Sequence, residues 1–394
     1  MTREVRAVDA AEPEAVYRAL REALAGGGPA VVPREAGAAT DKAGHGRGER
    51  VAQNVALVIE TSGSTGRPKR VALSADALLA SAAASAGAMG GQGQWVLALP
   101  AHYVAGAQVL VRSLAAQTEP LYYGAGHFDA ERFAALAAEA TNDLRYTSLV
   151  PVQLARLVDA AEGGSRAVEA ALRRFDGILV GGQALTPALR ERAERVGARI
   201  LSTYGSSETA GGCVYDGVPI GTTTVREVDG LLEIAGPTLA EGYLGDVERT
   251  HAAFHEADGV RWYRTGDLGA VVDGRVTVFG RADNVIISGG EKILLDRVEQ
   301  LVRAVAGLEH AVVVAAEDAE WGQVPVVVAV LDEGAVAEGE DLLRRVRARV
   351  AEGAGRAAAP ARIAVVAELP ALSSGKPDRV AAARMAAAAG DEEA

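Results

Sequence analysis

The segment from Thr61 to Lys69 carries the residues whose types and spacing most strongly suggest chemistry. Its nine residues, TSGSTGRPK, include four hydroxyl side chains and two glycines, and they end on a lysine. Glycines let the backbone approach a ligand closely, while hydroxyls, successive amide groups and an ammonium supply the donors and charge that a phosphate requires. The spacing is neither that of a Walker A motif nor that of a dinucleotide fingerprint. The segment therefore predicts a phosphate-binding loop, with a flexible, solvent-exposed loop as the alternative.

The same nine residues resemble the phosphate-binding loop of the adenylate-forming superfamily, which includes acyl-CoA synthetases, luciferases and peptide-synthetase adenylation domains. Further segments resemble the other motifs of that superfamily and follow in the same chain order. They are Leu99–His102, Val180–Gly182, Tyr204–Thr209, Tyr263–Asp267, Gly280–Ile293 and Ser373–Arg379. Each segment alone could be an ordinary turn, linker or helix cap, but their joint order and spacing are specific. The resemblance covers residues from about 55 to 380.

This resemblance implies how a nucleotide is held. Tyr204 would stack on adenine, Ser207 would donate to the α-phosphate, and Glu208 would hold Mg²⁺. Asp267 would accept both ribose hydroxyls, and Arg281 would contact the nucleotide. A carboxylate together with substrate phosphates is a suitable ligand set for a hard cation.

The resemblance also implies how the acid and the thiol are handled. His102 would gate the acyl pocket, and Lys376 would bridge the substrate carboxylate and the α-phosphate. Asp283 would be the hinge about which a small domain rotates, bringing Gly289 and Gly290 to the thiol acceptor. The segment from Gly236 to Tyr243 also resembles the superfamily pattern and is expected to be structural.

The implied site falls into two sets of residues. Those expected to bind ATP or CoA are Thr61, Ser62, Gly63, Ser64, Thr65, Gly66, Lys69, Gly181, Gly182, Tyr204, Gly205, Ser206, Ser207, Asp267, Arg281, Gly289 and Gly290. Those expected to be catalytic are Lys376, Glu208 and His102, with Glu208 as the metal ligand. The expected cofactors and co-substrates are ATP, Mg²⁺ and CoA.

Within the superfamily, the chain most resembles the o-succinylbenzoate–CoA ligases of menaquinone synthesis. The resemblance lies in its compact length and in the segments SLVPVQL, YGSSETAGG and SGGEKI. It implies an AMP-forming acid–thiol ligase that acts through an acyl-adenylate on an aromatic keto-diacid, with His102 and Gln108 as candidates to bind the second carboxylate. The alternatives are another aryl- or acyl-CoA ligase, an adenylation enzyme that loads a carrier-protein thiol, and a catalytically silent nucleotide-binding protein.

Two features depart from the superfamily pattern. Only about 60 residues precede the phosphate loop, whereas most relatives have a longer N-terminal segment that builds part of the core. Arg70 stands where glycine usually follows the lysine, which bears on the geometry of the loop.

The composition of the chain limits the classes of partner that it is expected to bind. Asp and Glu number 52 against 40 Lys and Arg, giving a net charge of −12, which repels phosphate backbones and disfavours nucleic acid. Cys213 is the only cysteine, so no disulfide can form within the chain. The N-terminus has no apolar signal core, and the apolar runs are too short to span a membrane. These features predict a soluble, cytoplasmic protein without membrane insertion, and they do not indicate its oligomeric state.

The helices and strands that must position these residues are predicted from the spacing of apolar side chains. Val16, Leu20 and Leu24 predict an opening helix. Strands are predicted at 55–59, 95–99, 146–150, 177–180 and 199–203, and helices at 129–140, 152–162 and 187–196, with Ser74 as a further helix cap. This alternation predicts a mostly parallel sheet covered on both faces, with ligands beyond the carboxyl ends of its strands.

The pattern of predicted helices and strands changes after about residue 218. Short strands at 223–228, 231–235, 270–272 and 275–279 predict an antiparallel meander or a small distorted barrel. Beyond Asp283, helices at 294–306 and 340–351 and strands at 311–316, 325–331 and 363–366 predict a small α+β domain, and the resemblance implies that this domain is mobile. The predicted fold is thus α/β, with a large N-terminal domain at 1–282 and a small C-terminal domain at 283–394.

Three segments carry weaker predictions. Residues 34–50 are expected to be a flexible loop, and the Ala-rich tail after Arg379 is expected to fray. His251 and His255 have the spacing of a metal pair on a helix, but no third ligand is evident, so a solvated helix face is favoured.

Overall fold

The computed structural model describes residues 1–35, 48–61, 69–331, 339–371 and 377–391. The chain forms two compact units. The first comprises Met1–Arg226, Glu233–Thr265 and Val271–Val276, and the second comprises Glu227–Leu232, Gly266–Ala270 and Thr277–Ala394. The domain boundary near Asp283 remains a prediction.

The described elements are numbered in chain order. The strands are β1 (Thr2–Asp9), β2 (Ala30–Arg34), β3 (Arg50–Ala52), β4 (Val55–Thr61), β5 (Lys69–Ser74), β6 (Gln94–Leu97), β7 (Leu121–Tyr122), β8 (Arg145–Leu149), β9 (Gly177–Val180), β10 (Ile200–Ser206), β11 (Gly211–Tyr215), β12 (Val218–Pro219), β13 (Thr224–Val228), β14 (Leu231–Ala235), β15 (Gly242–Tyr243), β16 (Phe254–Ala257), β17 (Val260–Val272), β18 (Arg275–Arg281), β19 (Val285–Ser288), β20 (Glu291–Leu294), β21 (Val312–Asp318), β22 (Gly322–Ala329) and β23 (Arg362–Val365). The helices are α1 (Pro13–Leu24), α2 (Ala75–Met89), α3 (Val104–Ala116), α4 (Ala130–Ala138), α5 (Pro151–Glu162), α6 (Arg166–Arg174), α7 (Pro187–Arg195), α8 (Val247–Ala253), α9 (Leu295–Arg303), α10 (Gly339–Ala354) and α11 (Arg379–Asp391).

A six-stranded mixed sheet in the first unit carries the ends of the phosphate loop. Its strand order is β15-β5-β4-β2-β1-β3, and β4 and β5 are antiparallel neighbours in which Thr61 pairs with Lys69. Sequence reasoning missed β5, so the loop joins two antiparallel strands rather than a strand and a helix. The predicted cap is confirmed, because Ser74 Oγ accepts a hydrogen bond from the Ala77 amide at the start of α2.

A seven-stranded sheet in the same unit confirms the predicted parallel core. Its order is β12-β11-β10-β9-β8-β6-β7, with parallel pairing from β10 to β7 and antiparallel β11 and β12 at one edge. Val96 belongs to the core that α4 to α7 cover, whereas the adjacent Trp95 faces α3 through Arg112. Because successive strand residues point to opposite faces, helices cover both sides of the sheet.

The third sheet has the strand order β13-β14-β17-β16, with β18 paired to β17. In it, β16 runs antiparallel to β17, so that His255 lies opposite Trp262. The helical interpretation of His255 was therefore wrong: α8 ends at Ala253, and His255 lies on a strand with Nε2 3.5 Å from a carboxylate oxygen of Glu233. His251 does lie on α8 and is exposed.

The second unit has its own sheet, β20-β19-β22-β21, with β23 parallel to β22. Helices α9 and α10 cover one face of this sheet. Helix α11 covers the other face, where Ala382 and Ala386 pack on Val312 and Val314. The expectation of a fraying tail was therefore wrong for most of this segment, because its small alanine side chains let the helix approach the strands closely. In the described ranges, no helix is long and apolar enough to cross a membrane.

Candidate active site

Two groups of predicted site residues fall outside the described ranges. They are the middle of the phosphate loop, Ser62, Gly63, Ser64, Thr65 and Gly66, and the predicted catalytic Lys376. Thr61 and Lys69, which flank the loop, are described as strand residues.

Glu208 is the centre of the first unit's polar site. Its side chain is buried, at 6% exposed, and Tyr243 Oη donates a 2.8 Å hydrogen bond to Oε1. Lys69 Nζ lies 3.7 Å from the same oxygen and 5.3 Å from the centre of the Tyr243 ring. Burial, reinforced by the neighbouring Glu208 charge, raises the pKa of Tyr243, so the phenol remains a donor. The structure thus brings together Lys69, Glu208 and a tyrosine that sequence reasoning had treated as structural.

A tight turn after β10 sets the position of Glu208. Thr209 Oγ1 accepts a hydrogen bond from the Ser206 amide and donates to the Gly211 carbonyl. A Cβ atom at Gly205 would lie 2.2 Å from the Gly211 carbonyl oxygen, so only glycine fits there. The Thr209 hydroxyl and the close backbone approach at Gly205 therefore fix the turn.

The other nucleotide-binding candidates of this unit lie along the same strand edge. Tyr204 and Ser206 are half-buried on β10, and Ser207 is buried beside Glu208. A Cβ atom at Gly181 would lie 2.3 Å from Thr203 Oγ1, and Gly182 has a φ of +83°. Close packing against the Thr203 side chain therefore accounts for Gly181, and the positive φ accounts for Gly182. Their role toward an acyl-adenylate remains a prediction.

Arg70, the unusual residue after the loop lysine, has a clear structural role. Its Nη1 and Nη2 atoms donate to Glu49 at 2.6 and 2.8 Å, and its Nε lies 3.3 Å from Glu60. Glu60 in turn accepts two hydrogen bonds from Arg34. Alternating charges therefore bind β2 and β4 to β5 at the base of the phosphate loop.

His102, the predicted gating residue, is held without strong polar contacts. Neither ring nitrogen has a hydrogen-bond partner among the described residues, and the ring centre lies 4.1 Å from that of Tyr103. Burial lowers the pKa of His102, with Glu35 opposing the shift. The imidazole is therefore neutral near pH 7.

Arg112 is a functional candidate that sequence reasoning missed. It is buried on α3, with its guanidinium 4.9 Å from the Trp95 ring centre and Nη2 3.5 Å from Tyr215 Oη. The Tyr215 hydroxyl also lies 2.7 Å from Ser85 Oγ. Burial lowers the pKa of Arg112, and in the described part of the chain no carboxylate pairs with it. A buried cation without a counter-ion is costly, and such groups mark functional sites.

Gln108 lies one helical turn before Arg112 and was, with His102, one of two candidates to bind a second carboxylate. Its amide nitrogen donates to the Ala210 carbonyl at 2.8 Å, next to the Glu208 turn. Ser81 Oγ donates to the same carbonyl at 3.0 Å. Since Gln108 already supports this turn, Arg112 is the stronger candidate for an anion. The signal available in the sequence was an arginine within the apolar stretch VAGAQVLVRSLAA.

Arg281 organises the second unit's candidate residues. Its Nη1 atom lies 3.2 Å from Asp267 Oδ1, its Nε atom lies 3.1 Å from Asp283 Oδ1, and its amide donates to Asp296 Oδ2 at 2.8 Å. The structure therefore brings together the predicted ribose, nucleotide and hinge residues. Their roles remain predictions.

Gly289 and Gly290 form the turn between β19 and β20. Gly289 has a φ of +56°, and a Cβ atom there would lie 2.7 Å from the Trp321 ring. The Gly289 amide donates to the Trp321 carbonyl at 2.9 Å, and the Trp321 side chain is 49% exposed. An exposed aromatic face thus borders the predicted thiol-binding turn, and sequence reasoning did not find it.

Metal binding by the protein alone is not supported by a side-chain cluster. Among the described residues, no group of three or more His, Cys, Asp or Glu side chains could hold a metal ion. One carboxylate, that of Glu208, fits Mg²⁺ that arrives with nucleotide phosphates, because this ion keeps several waters and takes few protein ligands.

The layered α/β unit, the lysine at the end of the phosphate loop and the buried acid beside it agree with the resemblance to adenylate-forming enzymes. The chain belongs to the AMP-binding enzyme family, which it matches over residues 9–244, and residues 297–376 match the AMP-binding enzyme C-terminal domain.

The chain is also similar to individual proteins of this class. A probable 2-succinylbenzoate–CoA ligase from Mycobacterium tuberculosis is 39% identical over 352 residues, which cover 88% of each chain. A solved o-succinylbenzoate CoA synthetase from Bacillus subtilis, in complex with its acyl-adenylate intermediate, has a TM-score of 0.70 at 26% identity and covers 83% of this chain and 68% of that one. An amide bond synthetase from Marinactinospora thermotolerans shares the fold, with a TM-score of 0.71 at 24% identity over 96% of this chain and 79% of that one.

Proposed function

We propose that this chain is an ATP-dependent acid–CoA ligase that converts o-succinylbenzoate to o-succinylbenzoyl-CoA in menaquinone biosynthesis. The observation that carries the proposal is the buried Glu208, held by Tyr243 and Lys69 at the base of the phosphate hairpin, in a chain similar over most of its length to a probable 2-succinylbenzoate–CoA ligase. We propose the cytoplasm as the location of this reaction, because ATP and CoA are available there.

The first half-reaction joins two anions. A carboxylate oxygen of the acid attacks the α-phosphorus of ATP, and the bond from that phosphorus to the pyrophosphate oxygen breaks. Lys69 and the donors of the phosphate loop hold the polyphosphate, and Lys376 offsets the charge that develops between carboxylate and α-phosphate. Mg²⁺ bound with ATP at Glu208 would supply further charge neutralisation.

The second half-reaction transfers the acyl group. The thiol sulfur of CoA attacks the carbonyl carbon of the acyl-adenylate, the bond from that carbon to the AMP oxygen breaks, and the thiol proton is released. Gly289, Gly290 and the exposed ring of Trp321 support a role for the β19–β20 turn in binding the pantetheine arm, since the turn offers close backbone approach and an apolar face. Rotation about Asp283 would separate the two half-reactions in time.

The buried Arg112 supports a diacid as the substrate. A second carboxylate would give this guanidinium the partner it lacks among the described residues, and a fork of N–H donors suits a carboxylate well. A monoacid would leave the buried charge unmatched.

A pyrophosphate-release assay across a panel of acids, with and without CoA, tests this function. We expect o-succinylbenzoate to support turnover that requires CoA, with AMP and pyrophosphate as products. Turnover with a carrier-protein thiol but not with CoA, or no release with any acid, would contradict the proposal.

A further inference from the structure

The segment Ala240–Tyr243 contacts Glu208 at two separate points. The Ala240 amide donates a 2.8 Å hydrogen bond to the Glu208 carbonyl, and the Tyr243 hydroxyl donates a 2.8 Å hydrogen bond to carboxylate oxygen Oε1. Backbone and side chain of the same acid are therefore fixed by one short segment that lies more than 30 residues further along the chain.

Tyr243 itself is rigidly placed. It lies on β15, the edge strand next to β5, where it pairs with Val71 two residues after Lys69. Its amide donates to Thr250 Oγ1 at 2.9 Å, and its ring packs on Phe254 with centres 6.0 Å apart. The phenol is therefore aimed from a strand, which is a more precise support than a loop.

The contacts leave the two oxygens of Glu208 unequal. Oε1 receives the Tyr243 hydroxyl and faces Lys69 Nζ at 3.7 Å. Among the described residues, no donor forms a hydrogen bond to Oε2. From this asymmetry we infer that Tyr243 is a positioning residue, which holds Oε1 so that Oε2 is presented to the metal ion bound with ATP.

This inference rests on the proposed function, since it assumes that nucleotide and metal bind at Glu208. It adds a residue that acts through the metal ligand rather than on the substrate. Without the phenol, the carboxylate would be free to rotate toward Lys69 and to engage the ammonium with both oxygens, in competition with the metal.

The test compares Tyr243→Phe with the unmodified protein. Phenylalanine keeps the ring, its packing on Phe254 and its place beside Lys69, and it removes only the hydroxyl. We expect Mn²⁺·ATP, followed by electron paramagnetic resonance, to bind roughly tenfold more weakly, the loss typical of one hydrogen bond to a charged group. Thioester formation from a supplied acyl-adenylate should stay within about twofold, because that step does not use the metal.

Tyr17→Phe is the matched control. Tyr17 is also buried, and its hydroxyl donates a 3.0 Å hydrogen bond to the Thr118 carbonyl, away from Glu208. It should lose similar thermal stability without any change in Mn²⁺·ATP affinity. Unchanged metal affinity in folded Tyr243→Phe, or equal losses in both variants, would overturn the inference. If Tyr243→Phe weakens Mn²⁺·ATP but no acid yields an adenylate in the unmodified protein, the proposed function fails and the positioning role stands.

Discussion

Glu208 in the first unit and Glu299 in the second are buried to the same degree, each 6% exposed, yet their surroundings differ. Glu299 accepts from Arg379 at 2.7 and 3.1 Å and from the Val313 amide at 3.0 Å, and it lies 2.9 Å from Arg303. Within the described ranges, the Glu208 carboxylate has one phenol donor and one ammonium at 3.7 Å. Two carboxylates that are equally buried therefore have very different polar surroundings.

The difference is between an acid whose acceptor sites are filled by the protein and an acid that we propose binds a metal ion with ATP. Glu299 has its acceptor capacity filled by two arginines and a backbone amide, which joins α9, β21 and α11. Glu208 retains acceptor sites that no described residue fills. A buried acid with unfilled acceptor sites is a better sign of function than burial alone.

The largest expected effect on stability comes from Glu299→Gln. The amide would leave two arginines without their counter-charge, and breaking a buried ion pair costs about 3–5 kcal/mol. Urea unfolding of the second unit should show this loss. Glu169→Gln, at an exposed pair with Arg173 on α6, should cost less than about 1 kcal/mol. Similar losses in both variants would show that Glu299 is not a structural centre.

Glu208→Gln should show the opposite pattern. Pyrophosphate release should fall by about 10²- to 10³-fold, because the charge that we propose binds the metal is removed from the transition state. The unfolding free energy should change by less than about 1 kcal/mol, since the amide oxygen still accepts from Tyr243. Large destabilisation with activity retained per folded molecule would place Glu208 in the same structural category as Glu299.

Arg112→Met tests the diacid assignment. We expect KM for the keto-diacid to rise about ten- to a hundredfold, the loss of a charge-assisted hydrogen bond, while KM for ATP is unchanged. An aromatic keto-acid without the second carboxylate serves as the control and should be used no worse by the variant. Equal effects on both acids would show that Arg112 does not bind the second carboxylate.

The smallest expected effect is a pH dependence from His102. Burial lowers its pKa below the ordinary value of 6.5, so the unfolded chain binds the proton more readily than the folded protein. The stabilising contribution is therefore present above pH 6.5 and lost as pH falls through the lowered pKa. The melting temperature should decline less steeply on acidification in His102→Gln than in the unmodified protein. An identical decline in both would indicate that His102 is not the titrating group.

Much of the scaffold followed from local sequence. The apolar run Gly177–Val180 and the periodic segment Pro151–Glu162 formed the expected strand and helix, because burial and local pattern agree there. Strand β1 was missed since its sequence, TREVRAVD, mixes charges with apolar residues on a partly exposed strand. The alanines of α11 carried little signal because their burial depends on β21, more than 60 residues away.

The candidate site residues also divide into those that were predicted from the sequence and those that were not. Glu208 and Lys69 were predicted because their motifs are contiguous, and the structure places them 3.7 Å apart. Tyr243 and Arg112 were not predicted because their importance depends on partners from distant segments, Glu208 for one and Tyr215 for the other. Contiguous sequence motifs therefore identify candidate reactive groups more readily than they identify residues whose partners lie in distant segments.

A single-turnover experiment tests the central claim most directly. The protein is mixed with o-succinylbenzoate and ATP without CoA, with Mg²⁺ present or removed by a chelator, and the quenched mixture is analysed by mass spectrometry. The account predicts an acyl-adenylate and pyrophosphate only when Mg²⁺ is present, and conversion of that adenylate to thioester and AMP once CoA is added. Formation of ADP and orthophosphate, or no acyl-adenylate in the presence of Mg²⁺, would contradict it.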